Sequence, residues 1–287
     1  MHNILTVDLE EWYVVEALAS RFAYEDWGSL SSTVVENSRR LLTLFDRGKV
    51  RATWFILGYC AERYPDLIRE IADHGHEIAC HSFRHVRVNR LTPEAFRKDT
   101  ERAMEAIVDA LGYPPQGYRA PSWSINAQVP WAFEVLADLG FSYDSSIFPI
   151  KHDLYGVPDA PRSLFKMSLP SGRTLWELPC STYRTLGRNL PLAGGGYLRH
   201  SPYWYSRMMV RRLNDRQLPA LVYIHPWELD PDPPYVPGLK LLQRFRMYGS
   251  TAYFGLKLER LLAEFQFQTV SEFVVSQTKK RIGFERL

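Results

Sequence analysis

The sequence predicts an α/β fold with a mostly parallel sheet, arranged as a (β/α) barrel. Short apolar runs alternate with longer stretches of helical periodicity, which is the pattern of repeated βα units. A helix, a glycine, a short apolar run and a polar end follow in that order at residues 72–82 and 137–146. The same order without the glycine occurs at 262–273. These observations favour an α/β barrel over an all-α or all-β architecture.

Six strands and one long helix can be placed individually. Thr92 and Pro93 are typical of a helix N-cap and a first helical position, and they predict a helix that ends near Leu111. Apolar runs predict strands at residues 4–7, 52–57, 77–80, 117–120, 174–178 and 221–224. Polar or ionisable residues lie at or just beyond the strand ends: Asp8, Glu10, His81, Arg119, Asp144, Glu177 and His225. Because the strand ends of a parallel barrel converge on one face, this pattern favours an enzyme.

Length and composition predict one folding unit. Hydrophobic residues make up 46% of the 287 residues, enough for a full core without disulfide bonds. No linker composition divides the chain, so we predict a single domain over residues 1–287. Within it we expect elaborated loops at about 151–200, which include three consecutive glycines at 194–196, and a C-terminal extension at about 229–287.

Charge and targeting signals exclude several classes of protein. The net charge of +3 comes from scattered basic residues, which argues against a nucleic-acid-binding surface. Three widely spaced cysteines argue against a disulfide framework. The N-terminus lacks the features of a signal peptide, and no segment has the ~18 apolar residues of a membrane span. We therefore expect a cytoplasmic protein. The basic aromatic stretch at 203–212 is explained by packing on the barrel or by peripheral contact with anionic lipid.

His81 and His85 are spaced to approach one metal ion. They lie four residues apart, just after a predicted strand, and this spacing brings two imidazoles to one side of a turn. Glu10 adds a carboxylate and leaves an open position, which is the composition of a catalytic zinc site. An isolated pair of this kind is more often a surface feature, but the carboxylates favour a metal site. Since side chains alternate along a strand, Asp8 shares the side of Glu10 and is available for proton transfer.

The order of five motifs resembles one known family. TVDLE, HSFRH, RAPSW, YDSS and YIHPWE occur as in the NodB-type polysaccharide deacetylases, carbohydrate esterase family 4. The resemblance covers essentially the whole chain. Residues 148–156 and the GGGY segment at 194–197 are similar to the branch associated with bacterial exopolysaccharide gene clusters. The resemblance implies a distorted, incomplete barrel that hydrolyses N-acetyl groups on sugars of an oligosaccharide, polysaccharide or lipid-linked precursor.

The resemblance also implies roles for individual residues. Glu10, His81 and His85 would bind the metal, by default zinc, and Asp8 would be the general base. The remaining expectations are that Arg119 orients Asp8, that His225 is the general acid held by Asp144, and that the backbone near Ser122 stabilises the oxyanion. The chain departs from the commoner pattern at Glu10, where many members have Asp, and at Ser122–Trp123, which replaces Tyr-Gly.

Several of these residues have plainer interpretations that the sequence leaves open. His225 follows an apolar strand and is explained as an acid or as a satisfied buried histidine. Trp123 and Trp227 are suited to stacking on a sugar ring or to packing of the barrel. Glu177 and Tyr197 are weaker candidates for contact with a glycan substrate, since Glu177 is also suited to bridging a base and Tyr197 to packing its loop.

Three other functions fit part of the pattern. Related barrels host amidohydrolases that act on small cyclic ureides or imides, and fold does not determine substrate. Two histidines and a carboxylate also suit the iron of a non-haem oxygenase, although Asp8 and His225 would then lack roles. An inactive sugar-binding module is the third alternative, and the retained catalytic set argues against it. An open aromatic groove favours a glycan substrate, whereas a small closed pocket favours a ureide.

Overall fold

The computed structural model describes residues 1–152, 155–192 and 194–284, with side chains up to Lys279. Within these ranges the chain forms the strands β1 His2–Leu9, β2 Thr53–Ile56, β3 Glu77–Cys80, β4 Gly117–Tyr118, β5 Tyr143–Asp144, β6 Phe165–Ser168, β7 Thr174–Glu177, β8 Thr182–Thr185, β9 Arg188–Pro191, β10 Leu221–Ile224 and β11 Gln266–Gln268. The α-helices are α1 Val34–Gly48, α2 Gly58–Arg63, α3 Pro65–Asp73, α4 Pro93–Leu111, α5 Trp131–Asp138, α6 Gly195–His200, α7 Tyr203–Asn214, α8 Leu241–Tyr248, α9 Thr251–Glu264 and α10 Val270–Phe284. Short 3₁₀ helices are Trp12–Val14, Tyr24–Ser29, Val88–Arg90, Pro121–Trp123 and Pro226–Leu229.

A nine-stranded sheet forms the centre of the molecule. Its order is β10–β1–β2–β3–β4–β5–β7–β6, and β11 pairs with the first half of β1. Every pairing in this sheet is parallel except the one between β6 and β7. The path ends at β6 and β10, and these two strands do not pair with each other. The expected α/β barrel, distorted and incomplete, is confirmed.

Alternation of side chains along the strands divides the core into two parts. On β1, Leu5 and Val7 pack with the surrounding helices, whereas Ile4 packs in the enclosed space inside the curved sheet. Phe55 of β2 and Tyr223 of β10 belong to the same inner cluster. Side chains alternate between the two faces of a strand. The residues directly before and after an inward-facing residue therefore face outward. This parity decides which residues at the strand ends can meet.

The sequence anticipated some boundaries more closely than others. Strands β3 and β10 have the predicted bounds, and α4 begins after Thr92, whose Oγ1 accepts a hydrogen bond from the backbone N–H of Ala95. The region at 151–200 contains β6 to β9 and α6 as well as loops, and β8 with β9 forms a separate two-stranded sheet. The region after 229 contributes β11 to the central sheet, next to β1. The single-domain boundaries stay a prediction.

The helices carry no membrane-crossing element in the part of the chain that the structure describes, since none is both long and apolar enough. Helix α7, which contains the whole basic aromatic stretch, buries one side through Ser206, Met209, Val210 and Leu213. The apolar periodicity of α7 is therefore explained by packing on the barrel.

Candidate metal and acid–base site

Most of the predicted site residues surround one cavity of about 200 Å³ at the carboxyl ends of β1, β3 and β10. The predicted residues that line it are Asp8, Glu10, His81, His85, Ser122, Trp123, His225 and Trp227. Val15, Glu16, Ala120, Tyr155 and Tyr223 complete the lining. Convergence of polar groups from several strands on one concave site is the arrangement expected of an active site.

Glu10, His81 and His85 form a buried cluster that is suited to a metal ion. One ligand atom from each lies within 4.8 Å of the others, and the Glu10 Oε2 is 2.8 Å from the His85 Nε2 and 3.9 Å from the His81 Nε2. The His81 Nδ1 lies 2.7 Å from the backbone carbonyl oxygen of Arg119, so it carries the proton and donates it there. That bond leaves the His81 Nε2 lone pair directed at the cluster, as in many metal sites.

The loop HSFRH brings the two histidines together by adopting left-handed backbone conformations. Ser82 has φ 62° and His85 has φ 54°, and the His85 N–H donates to the Ser82 Oγ at 3.2 Å. The imidazole rings consequently lie 5.3 Å apart. Left-handed backbone in residues other than glycine is uncommon and clusters at functional sites.

Two of the three groups in the cluster have the charge state of a metal ligand. Burial lowers the pKa of His81 to about 4, so its imidazole is neutral at physiological pH. Burial opposes ionisation of Glu10, but the neighbouring His85, His225 and His81 outweigh it and lower the Glu10 pKa to about 2. Neutral imidazole and ionised carboxylate are the ligating forms of these side chains. Burial opposes protonation of His85, but the charge and hydrogen bond of Glu10 raise its pKa, so a metal ion competes with a proton there. The donor set itself fits a divalent ion.

Asp8 lies beside this cluster and is paired with the fully buried Arg119. The Arg119 Nη1 donates to the Asp8 Oδ1 at 2.6 Å and to the Thr6 Oγ1 at 2.9 Å. The guanidinium lies against the rings of Phe55 and Trp123, at 4.0 Å and 4.7 Å from their centres. Arg119 therefore contacts Asp8, as the resemblance implies, and its bonds orient that carboxylate.

His225 faces the same site and is held by a residue that the sequence analysis missed. Its Nε2 lies 3.8 Å from the Glu10 Oε1 and 4.0 Å from the Asp8 Oδ2. On the other side of the ring, the His225 Nδ1 and backbone N each lie 3.0 Å from the Glu228 Oε2. Glu228 is fully buried and also accepts from the Arg199 Nε at 3.1 Å. Burial alone would lower the His225 pKa, but the bond to Glu228 and the charge of Glu10 raise it to about 9.

Asp144 and Glu177 do not reach this site, which corrects two expectations. Asp144 accepts hydrogen bonds from the backbone N–H and Oγ of Ser146, and Glu177 accepts one from the backbone N–H of Ile147. Tyr143 belongs to the inner cluster, so Asp144 next to it faces outward, and Glu177 pairs with it in register. Burial raises the pKa of both carboxyls, to about 6 for Asp144. Asp144 therefore cannot hold His225, and Glu177 cannot contact a substrate in the cavity.

The aromatic candidates differ in how much of each is open to the cavity. Trp227 stacks on His225, with ring centres 5.3 Å apart, and its indole N–H donates to the Glu10 Oε1 at 3.3 Å. Trp227 thus positions two site residues, although it also lines the cavity. Trp123 lines the cavity beside Ser122, and both residues adopt left-handed backbone conformations. Tyr197 is outside the lining and packs in the inner cluster, whereas Tyr155, which the sequence analysis did not single out, lines the cavity.

Two family models match adjacent parts of the chain. A model described as "Polysaccharide deacetylase" matches residues 26–143, which include His81 and His85, and one described as "Domain of unknown function (DUF3473)" matches residues 145–275. Residues 26–143 are therefore similar to the polysaccharide deacetylase family. The chain's resemblance to the branch associated with exopolysaccharide gene clusters stays a prediction.

Individual relatives of this chain are distant. The peptidoglycan deacetylase of Helicobacter pylori is 33% identical over 108 residues, which cover 38% of this chain and 36% of that protein. The chain spans little more than a third of the length of the first curated relatives it matches. A solved structure from Mycobacterium smegmatis, assigned to the polysaccharide deacetylases, aligns with a TM-score of 0.61 and 22% identity over 98% of this chain and 92% of that one. The Puue allantoinase structure aligns with a TM-score of 0.59 and 15% identity over 94% and 87% of the two chains. Both structures share the fold.

Proposed function

We propose that this protein hydrolyses N-acetyl groups on the sugars of a glycan and releases acetate. The observation that carries the proposal is the placement of Asp8 and His225 on either side of the Glu10–His81–His85 cluster, around one cavity. Hydrolysis of an amide requires an activated water, stabilisation of the developing oxyanion and a proton for the departing amine. Relatives named as peptidoglycan deacetylases and a chitooligosaccharide deacetylase support a glycan substrate.

The side chains divide the chemistry between them. Asp8 takes a proton from the attacking water, whose oxygen bonds to the acetyl carbon, and His225 gives a proton to the amine nitrogen as the carbon–nitrogen bond breaks. Arg119 keeps Asp8 oriented, and Glu228 keeps His225 protonated. The backbone near Ser122 is the proposed donor to the oxyanion, since Ser122 lines the same cavity.

Zinc is the proposed occupant of the Glu10, His81 and His85 cluster. Two imidazoles and one carboxylate are a common catalytic zinc set, and they leave a position open for substrate or water. A zinc ion bound there would supply Lewis-acid polarisation of the amide carbonyl and greater acidity of water. The Trp227 indole and the Arg119 carbonyl hold two of the three ligands in place.

Hydrolysis of a small cyclic ureide is the second candidate. The cavity of about 200 Å³ is smaller than the ~300–1,000 Å³ of typical ligand pockets. That size suits an acetamido group whose sugar ring lies outside against the aromatic rim, and it also suits a compact ring. The allantoinase likeness concerns the fold alone, so substrate preference must be measured.

Acetate release from defined substrates tests the proposal. Zinc-loaded protein is incubated with N-acetylated chito-oligosaccharides, peptidoglycan fragments and a cyclic ureide, and Asp8→Asn serves as the matched inactive control. We expect acetate from at least one glycan, lost in the control, and no ring opening of the ureide. Ring opening without acetate would replace the first candidate with the second.

A further inference from the structure

Helix α8 presents its apolar side chains to solvent. Met247 is its one buried residue, whereas Leu241, Leu242 and Phe245 are 85%, 59% and 54% exposed. Positions three and four residues apart lie on the same side of a helix, so Phe245 neighbours both Leu242 and Leu241 and the three side chains form one apolar strip. An exposed apolar strip of this kind is costly in water unless another surface covers it.

The strip continues onto α9 and the start of α7. The Phe245 ring stacks on His200 at 4.3 Å, and His200 lines a cavity of about 450 Å³ together with Tyr253 and Leu256 of α9. Tyr203 of α7 lines the same cavity, and its neighbour Trp204 is exposed. We call this surface the α8–α9 face, defined by Trp204, Leu241, Leu242, Phe245, Tyr253 and Leu256. It holds six of the twelve large apolar side chains that are exposed in the described chain.

The chain segment that forms most of this face is strongly basic, and one of its basic groups, the Lys257 ammonium, donates to the backbone carbonyls of Leu198 and Ser201. Residues 240–260 contain five basic residues and one acid, Glu259, which gives a net charge of 5 − 1 = +4, against +3 for the whole chain. The remainder of the protein therefore carries 3 − 4 = −1. The basic residues of this segment are Lys240, Arg244, Arg246, Lys257 and Arg260. In the part of the chain that the structure describes, none of the five forms an ion pair.

We propose that the α8–α9 face docks the protein onto an anionic lipid membrane. Apolar side chains surrounded by arginine and lysine are the composition of interfacial membrane-binding surfaces. A second copy of this chain is the less suitable occupant, because two faces that each carry a charge of +4 repel one another. Helix α7 was the sequence-based candidate for lipid contact, but its buried side packs on the barrel, so α8 and α9 form most of the contact and α7 adds Trp204. The proposal does not depend on the chemistry at the metal site.

Vesicle flotation of the full chain tests the proposal. The probes are vesicles of phosphatidylcholine alone and vesicles in which phosphatidylglycerol makes up about a quarter of the lipid, at low and high salt. We expect the protein to float with the anionic vesicles at low salt and to stay in solution with the neutral ones. The double variant Arg244→Gln/Arg260→Gln should weaken the binding on the order of 25-fold, since each basic residue near the surface contributes about fivefold.

A matched pair of apolar variants separates this face from general hydrophobicity. Leu241→Ser/Phe245→Ser should lower binding to anionic vesicles at least tenfold, whereas Tyr113→Ser/Leu186→Ser, which removes exposed apolar side chains elsewhere, should not. Thermal unfolding midpoints close to that of the unaltered protein show that the variants are folded. Equal binding to neutral and anionic vesicles, or equal loss in both variants, overturns the proposal. So does a concentration-dependent dimer that Leu241→Ser/Phe245→Ser abolishes, because the face would then be a self-interface.

Discussion

Replacing Glu228 with Gln should lower the pKa of His225 while leaving the other residues of the site in place. Three donors converge on the Glu228 carboxylate, namely the His225 Nδ1, the His225 backbone N–H and the Arg199 Nε. Glutamine keeps the volume but offers one oxygen, so its NH₂ group must face at least one of these donors. Loss of a proton from the His225 Nδ1 relieves that conflict, because the ring nitrogen then accepts a hydrogen bond.

The size of the effect follows from these contacts. The bond to Glu228 is the largest contribution that raises the His225 pKa to about 9. We expect the pKa to fall by at least one pH unit in the variant, which corresponds to about 1.4 kcal/mol. Stability should also fall, because breaking a buried ion pair costs about 3–5 kcal/mol. Arg199 retains the backbone carbonyls of Met247, Gly249 and Arg246 as acceptors, which places the loss at the lower end.

The assay is the pH dependence of kcat/KM for zinc-loaded protein, together with urea unfolding. A general acid must be protonated, so activity is lost as pH rises through the His225 pKa, and Glu228→Gln should move this alkaline limb to lower pH. Asp144→Asn is the control, since Asp144 does not contact His225, and its alkaline limb should stay in place. An unmoved limb in Glu228→Gln, or an equal movement in Asp144→Asn, would refute the assignment of Glu228.

The remaining predictions concern the metal cluster, the base and a remote histidine. His81→Ala should lose bound zinc with little change in unfolding free energy, and full zinc content by metal analysis would contradict the cluster. Asp8→Asn should keep zinc, but its turnover should fall about 10²–10⁴-fold. Glu10→Ala should instead bind zinc more weakly and recover part of its activity in excess zinc. The reverse result would exchange the roles of base and metal ligand. Burial lowers the pKa of His76 to about 4 from 6.5, so the unfolded chain takes up a proton first as pH falls and stability drops by about 3 kcal/mol between these values. In urea titrations His76→Gln should show a smaller drop, and an unchanged drop would exclude His76 as its source.

The sequence located the catalytic face because parallel strands share a direction. Asp8, His81, Arg119 and His225 follow strands whose ends must lie on one side of the sheet, so their proximity could be anticipated without coordinates. For a strand of only two residues, the sequence does not show which side chain faces inward. Nothing in YDSS sets which of Tyr143 and Asp144 faces inward, and the outward position of Asp144 became evident only from the packing of Tyr143.

Glu228 was missed although the sequence contains a signal for it. In HPWE it follows His225 by three positions across a proline, and its carboxylate accepts from the backbone N–H of His225 in a capping box. A glutamate three residues after a potential N-cap is a recognised pattern, but His225 was considered for its chemistry rather than as a cap. Arg199 could not have been found, because it comes from α6, whose position depends on tertiary packing.

Arg119 serves the base and the metal cluster through different parts of the same residue. Its side chain binds Asp8, whereas its backbone carbonyl accepts the proton of the His81 Nδ1. A substitution such as Arg119→Met removes only the first of these contacts. The pairing of β3 with β4, which aligns Cys80 with Tyr118, therefore determines the tautomer of His81. Replacing the side chain at position 119 does not change that tautomer, because the acceptor is a backbone carbonyl. In redesign, the orientation of Asp8 can be adjusted at position 119, while changing the orientation of His81 requires altering the register of the sheet.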